Sequence, residues 1–183
     1  MAFDEGRHPD GVERKEARGP QQHQVATASA QIAQGNQDLS ERKTSWNENL
    51  ARKEALCEKA EALAQSTDWD KAAGMLTDDF FITEADPMPM AGVYRGKYAL
   101  RDLFTEVMGM VDVVGLDRVQ TTVGGDYAVT ILSFRFADPA LAPAELCEMF
   151  RFRDGKCCEI RPYYFDPAQF IAAVAAKQAA AGA

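Results

Sequence analysis

From Trp46 onward apolar residues recur at helical spacing: Trp46, Leu50, Cys57, Ala60 and Ala64 form one stripe. Ser45, with Glu48 three positions on, has the form of a capping box and predicts that a helix opens there. Glu48 and Arg52 add a favourable i,i+4 pair. Ser66-Thr67-Asp68 interrupts the stripe, and Thr67 or Asp68 caps a second short helix packed through Trp69, Ala72, Ala73, Met75 and Leu76. Asp78-Asp79 ends it. Phe80-Phe81-Ile82-Thr83 then predicts a strand, followed by a loop with Asp86-Pro87 and Pro89. A third helix, from about Gly96 to Met108, presents Leu100, Leu103, Phe104, Val107 and Met108 on one face.

Beyond Val111 the period changes to two. A strand through Val113, Val119 and Val123 meets Gly124-Gly125-Asp126, a hairpin signal, and the chain returns as a strand over Tyr127–Phe136. A Pro-containing loop at 137–143 leads to a strand over Glu145–Arg153. Asp154-Gly155 makes a second turn, and Cys157–Phe165 forms the last strand. Asp166-Pro167 opens an Ala-rich C-terminal helix with Phe170, Ile171 and Val174 inside. Helices gathered on one face of a curved antiparallel sheet make an α+β domain.

Composition places the domain within the chain. Residues 1–45 hold only Met1, Phe3, Val12, Val25, Ile32 and Leu39 as bulky apolar side chains, so this segment is expected to be a disordered tail. The domain is expected over 46–170, with an Ala-rich helix or tail over 171–183. The net charge is −8, from 20 basic and 28 acidic residues, which argues against nucleic acid and against anionic membranes as partners. No apolar run nears the roughly 20 residues of a membrane span, and the N-terminus lacks a secretory pattern. Cys57, Cys147, Cys157 and Cys158 follow no CxxC spacing, which suits reduced thiols in a cytoplasmic protein. The adjacent pair Cys157-Cys158 is expected to place one thiol in the core and one at the surface.

Several segments carry a resemblance. Thr67-Asp68-Trp69-Asp70, Leu76-Thr77-Asp78-Asp79-Phe80, Tyr94-Arg95-Gly96, Phe150–Lys156 and Glu159-Ile160-Arg161-Pro162-Tyr163-Tyr164 resemble the nuclear transport factor 2-like superfamily, and within it the SnoaL-like (polyketide-cyclase-like) branch. The resemblance covers about residues 46–170. It implies a cystatin-like cone: a strongly bent sheet around a pocket, helices closing the mouth, and a homodimer through the outer sheet face. Residues 49–69 also resemble a helix of a bacterial helical-repeat domain of unknown function.

The chemistry is bounded by what the sequence lacks. Both histidines, His8 and His23, fall in the expected tail, so the domain has no imidazole for a nucleophile–His mechanism or for a His-based metal site. No GxxxxGK[ST] or GxGxxG occurs. Neither a metal nor a cofactor is expected. What is left is proton transfer by carboxylic acids and phenols in an apolar pocket, where desolvation raises a carboxyl pKa towards neutrality.

The resemblance points to particular residues. Glu84, just after the strand Phe80–Thr83, matches the general base of the steroid-isomerase branch, with Asp86 as an alternative. Glu148 matches that branch's protonated acid. Alternation puts Glu148, Phe150 and Phe152 on one sheet face, and Ile160, Pro162 and Tyr164 on one face of the last strand. The expected catalytic set is Glu84, Glu148 and Tyr164, and the expected pocket wall is Ile82, Asp86, Phe150, Ile160 and Pro162. Arg135 or Arg161 could instead pair with Glu148 as structural partners. Two departures from the family stand out: the isomerase branch's oxyanion tyrosine falls at Ala60, and the cyclase branch's catalytic acid falls at Pro162.

The expected function is binding of a small, largely apolar organic molecule in the cone, with cofactor-independent isomerase, cyclase or hydratase chemistry by carboxylates. The alternative is a non-enzymatic dimerisation or ligand-carrier module whose N-terminal helix and tail recruit a protein partner. A cavity on which Glu148 and Tyr164 converge favours the first. One plugged by Phe81, Phe150 and Tyr164 favours the second.

Overall fold

The computed structural model of the protein describes residues 20–182. The chain forms two compact units, Met1–Asn47 and Glu48–Ala183. Helix α1 (Pro20–Ala64) begins in the first unit, where every described side chain is exposed. Side-chain bonds at i,i+4 brace it there: Gln34 to Asp38 at 3.1 Å and Gln37 to Glu41 at 3.0 Å. Ser45 is thus inside a helix rather than capping one. The Ala- and Gln-rich stretch before it propagates the helix by propensity, past the point where the apolar stripe fades. Of the segment expected as a disordered tail, residues 20–45 are helical and residues 1–19 lie outside the described residues.

The second unit carries the rest of α1 and the elements α2 (Trp69–Gly74), β1 (Leu76–Glu84), β2 (Gly92–Arg95), α3 (Ala99–Met110), β3 (Val113–Gly124), β4 (Tyr127–Phe136), β5 (Ala144–Arg153), β6 (Lys156–Tyr164) and α4 (Pro167–Ala181). Local chemistry sets several boundaries. The Asp68 carboxylate accepts from the Lys71 N–H at 3.0 Å and caps α2. Asp166 does the same for Ala168 at the start of α4, with Pro167 supplying a preset first turn. Asp154 and Gly155 both hold positive φ, 52° and 74°, in the tight turn joining β5 to β6.

The six strands form one curved, unclosed sheet in the order β2-β1-β6-β5-β4-β3. It is mixed, not wholly antiparallel as expected: β1 runs parallel to β6, and all other neighbours are antiparallel. Alternation of apolar residues reports a strand's faces and is silent on its direction. The short edge strand β2 went unseen because only Tyr94 of its four residues is even half-buried, too little to show an alternation. Asp78 and Asp79 lie within β1 instead of ending α2.

The core lies between the sheet's inner face and the helices. Leu56, Ala60 and Leu63 of α1 join Phe80, Ile82, Phe150, Ile160 and Phe170 there. Phe170 of α4 meets the rings of Phe134, Phe136 and Tyr164 at centroid distances of 6.0–6.3 Å. The thiol expectation is corrected: Cys157 and Cys158 are both buried. Arg151 pairs with Glu159 and Phe152 with Cys157, so Cys158 is the extra residue of a bulge and escapes strict alternation.

Candidate functional site

Three strands deliver the polar groups of the site. In β1 the inward residues Phe80, Ile82 and Glu84 alternate, and pairing of Glu84 with Gly92 carries the strand to Glu84 itself. In β5 Leu146, Glu148 and Phe150 point the same way, and in β6 so do Ile160, Pro162 and Tyr164. Glu84, Glu148, Pro162 and Tyr164 line one cavity of about 470 Å³. Its remaining wall is mainly apolar: Leu100, Leu103, Phe104, Val107 and Met108 of α3, Trp69 of α2, parts of β3 and β4, and the α1–α2 connection at Gln65, Ser66 and Thr67. Trp69 and Phe104 pack ring against ring at 5.1 Å. Far from being plugged, the bowl of the sheet is open.

Burial governs the site's electrostatics. Glu84 is buried, and desolvation pushes its carboxyl up to about 7, while a hydrogen bond from the Tyr164 phenol acts in the opposite direction. Its Oε2 atom has no hydrogen-bond partner. Glu148 is half-buried, and desolvation followed by the charge of Glu84 pushes it to about 8. Burial first, and then the charges of both carboxylates, raise the Tyr164 phenol so far that it stays protonated. Among the described residues neither glutamate has a cationic partner. Arg135 instead donates to Asp117 at 2.6 Å, and Arg161 pairs with Glu159. The structural alternative for Glu148 is therefore removed. Two acids near neutrality and one permanent phenolic donor in a mainly apolar pocket are equipped to accept and return a proton.

The model of the SnoaL-like domain matches residues 58–160, more than half of the chain, taking in the whole of β1 and β5, which carry the two acids, and stopping within β6 before Pro162 and Tyr164. The chain belongs to the SnoaL-like domain family. A second model, of a domain of unknown function (DUF349), matches residues 27–78. Among solved structures, Bal32a from a soil-derived mobile gene cassette is similar at 15% identity, with 66% of this chain and 93% of that one covered and a TM-score of 0.55. TerC co-crystallised with polyporic acid matches at 15% identity, covering 67% and 96%, with a TM-score of 0.53. A nuclear transport factor 2-like protein of unknown function from Burkholderia pseudomallei matches at 16% identity, covering 66% and 95%, with a TM-score of 0.52. These likenesses show the fold. The comparison with curated proteins gave no match.

Within this SnoaL-like domain the expected site residues separate into two groups. Glu84, Glu148, Tyr164 and Pro162 meet at the cavity. Ile82, Phe150 and Ile160 do not: each is fully buried in the core beneath the cavity floor. Strand alternation assigned them the correct face but not the depth at which packing ends and open space begins. Asp86 is exposed in the β1–β2 connection and does not line the cavity. The α3 residues that line it carried a signal, an amphipathic face, which reads equally well as core packing. Gln65, Ser66 and Thr67 carried none, since a helix interruption looks the same at a pocket mouth as elsewhere. Ala60 is fully buried in the core and is not part of the cavity lining.

Proposed function

We propose that this SnoaL-like protein binds a small, largely apolar organic molecule in its cavity and moves a proton on it without a cofactor. The observation that carries this reading is the pair Glu84 and Glu148, both lining one mainly apolar cavity and raised to about 7 and about 8. Glu84 ionises first and is the base that takes a proton from a carbon next to a carbonyl. Glu148, still protonated, donates a hydrogen bond to the carbonyl oxygen as negative charge develops there. Tyr164 positions Glu84 through the phenolic hydrogen bond. Return of the proton from Glu84 to a different carbon completes an isomerisation. Attack of the enolate carbon on a second carbonyl, whose oxygen takes the proton back from Glu84, completes an aldol-type cyclisation. Thermal-shift screening of wild type and Glu148→Gln against small carbonyl compounds tests this. Ligands that stabilise the wild type more than the variant support it, and equal stabilisation of both contradicts a role for the carboxyl.

The homodimer belongs to the same proposal. Ile131, Cys147 and Tyr163 pair in one row across β4, β5 and β6 on the outer sheet face, with Ile131 and Tyr163 exposed. A second copy would cover this apolar strip.

Helix α1 favours a second reading, recruitment of a protein partner. Ile32, Leu39 and Trp46 lie seven residues apart and are 65%, 57% and 71% exposed. A heptad-spaced apolar stripe is the seam of a helix–helix contact. A photocrosslinker at Leu39 should capture one dominant species that Trp46→Glu abolishes; diffuse labelling unaffected by that change contradicts this reading.

A further inference from the structure

We propose that the cavity selects for a lipophilic amine, whose protonated nitrogen sits against Glu84 and Glu148 among the rings of Trp69, Phe104 and Tyr164. This inference rests only on the reading that the cavity takes an organic ligand; with an ammonium held against it Glu84 is not free to act as base, so the amine is a bound ligand and not the substrate of the proton transfer.

Three independent features converge on an ammonium group. First, the formal charge in the lining has one sign: Glu84 and Glu148 are acidic, and among the described residues no Lys, Arg or His lines the cavity. The polar residues of the α1–α2 connection, Gln65, Ser66 and Thr67, are neutral. An anionic ligand would find no countercharge there and would add a third negative group to a poorly solvated space. Second, Glu84 is 5% exposed and its Oε2 has no partner. A buried carboxylate oxygen left unpaired is costly, and an ammonium N–H supplies the missing donor with a compensating charge. Third, four aromatic residues, Trp69, Phe104, Phe134 and Tyr164, line the same space. Aromatic faces attract cations, and most strongly where water is excluded.

Charge balance gives the binding a pH signature. An ammonium ion favours the ionised carboxylates, so it displaces protons from the pair on binding. The other titratable groups close to the pair stay silent between pH 6 and 8.5. Burial holds the Tyr164 phenol on β6 protonated, lifts the Cys157 thiol on the same strand, and, with Glu106 of α3 as hydrogen-bond partner, raises Tyr94 on β2 to about 12. Affinity for an amine therefore rises with pH across this range, whereas affinity for a neutral ligand held by a protonated carboxyl falls.

Isothermal titration with 1-adamantylamine, 1-adamantanol and adamantane-1-carboxylate at pH 6.0 and 8.5 tests the proposal. At pH 8.5 the amine should bind at least about tenfold more tightly than the alcohol, the loss of one charge-assisted contact being of that order. It should gain affinity from pH 6.0 to 8.5 with proton release, seen as a dependence of the heat on the buffer. The carboxylate should not bind. Glu84→Gln should weaken the amine by a similar factor and change the alcohol by less than about threefold, and Glu148→Gln serves if that variant does not fold. Alcohol binding as tight as the amine's, or amine affinity indifferent to pH, overturns amine selectivity while leaving the ligand cavity standing. Failure of all three probes, together with failure of the carbonyl screen, overturns both.

Discussion

Glu84 and Glu148 stand on opposite sides of Pro162, one strand away in each direction. Glu148 pairs directly with Pro162 across β5 and β6, and Glu84 follows Ile82, which pairs with Ile160 across β1 and β6. Two strand spacings separate the backbones by about 10 Å, and inward-pointing side chains on a curved sheet converge from there. The charge on Glu84 contributes to the raised pKa of Glu148. Glu84→Gln should therefore lower the Glu148 midpoint from about 8 while leaving it above the ordinary carboxyl range, because burial is the larger cause. The infrared carbonyl band of the protonated acid follows this directly. An unchanged midpoint would show that the two groups do not share a space.

Both acids also predict how stability responds to pH. Their folded pKa values lie above the unfolded value of 4.5, so the folded chain holds protons that the unfolded chain releases. Stability is then highest below about pH 4.5 for these groups and falls as pH rises towards 7 and 8. For Glu84 alone the loss is roughly 3 kcal/mol. Denaturant melts of Glu84→Gln and Glu148→Gln should show a smaller decline between pH 5 and 8 than the wild type, and higher stability at pH 8. A wild-type profile that rises over this window contradicts the burial argument.

Phe170 joins α4 to the aromatic group that includes Tyr164. It is fully buried, so Phe170→Ala should cost about 3–5 kcal/mol in a urea melt. Because Tyr164 loses a packing partner, the same variant should weaken ligand binding more than the distance of residue 170 from the ligand suggests. A cost below about 1 kcal/mol would place α4 outside the cooperative core.

The cavity's acids were legible in the sequence because each interrupts an apolar alternation. Glu84 follows Phe80 and Ile82 by twos, and Glu148 sits between Leu146 and Phe150. Alternation fixes the face of such a residue and says nothing of what opposes it. Ile82, Phe150 and Ile160 thus shared a face with the acids yet ended in solid packing. The parallel pairing of β1 with β6 was equally hidden, since direction leaves no periodic trace. The long extent of α1 was missed because exposed helices rest on propensity and side-chain pairs, and the apolar stripe that marks a packed helix stops well short of Pro20. The bulge at Cys158 had no signal at all.

The outer row Ile131, Cys147 and Tyr163 predicts an oligomeric state. Light scattering on the wild type should give the mass of a dimer, and Ile131→Glu with Tyr163→Glu should give a monomer with an unchanged far-ultraviolet spectrum. A wild-type monomer at high micromolar concentration rejects the interface.

Most direct is carbon-13 nuclear magnetic resonance of the protein labelled at the glutamate carboxyls, titrated from pH 3 to 10 with Glu84 and Glu148 assigned by the Gln variants. Two carboxyls with midpoints near 7 and near 8 are the expected result. If both assigned resonances titrate near 4.5, the pocket is wet, and neither the proton chemistry nor the ammonium site survives.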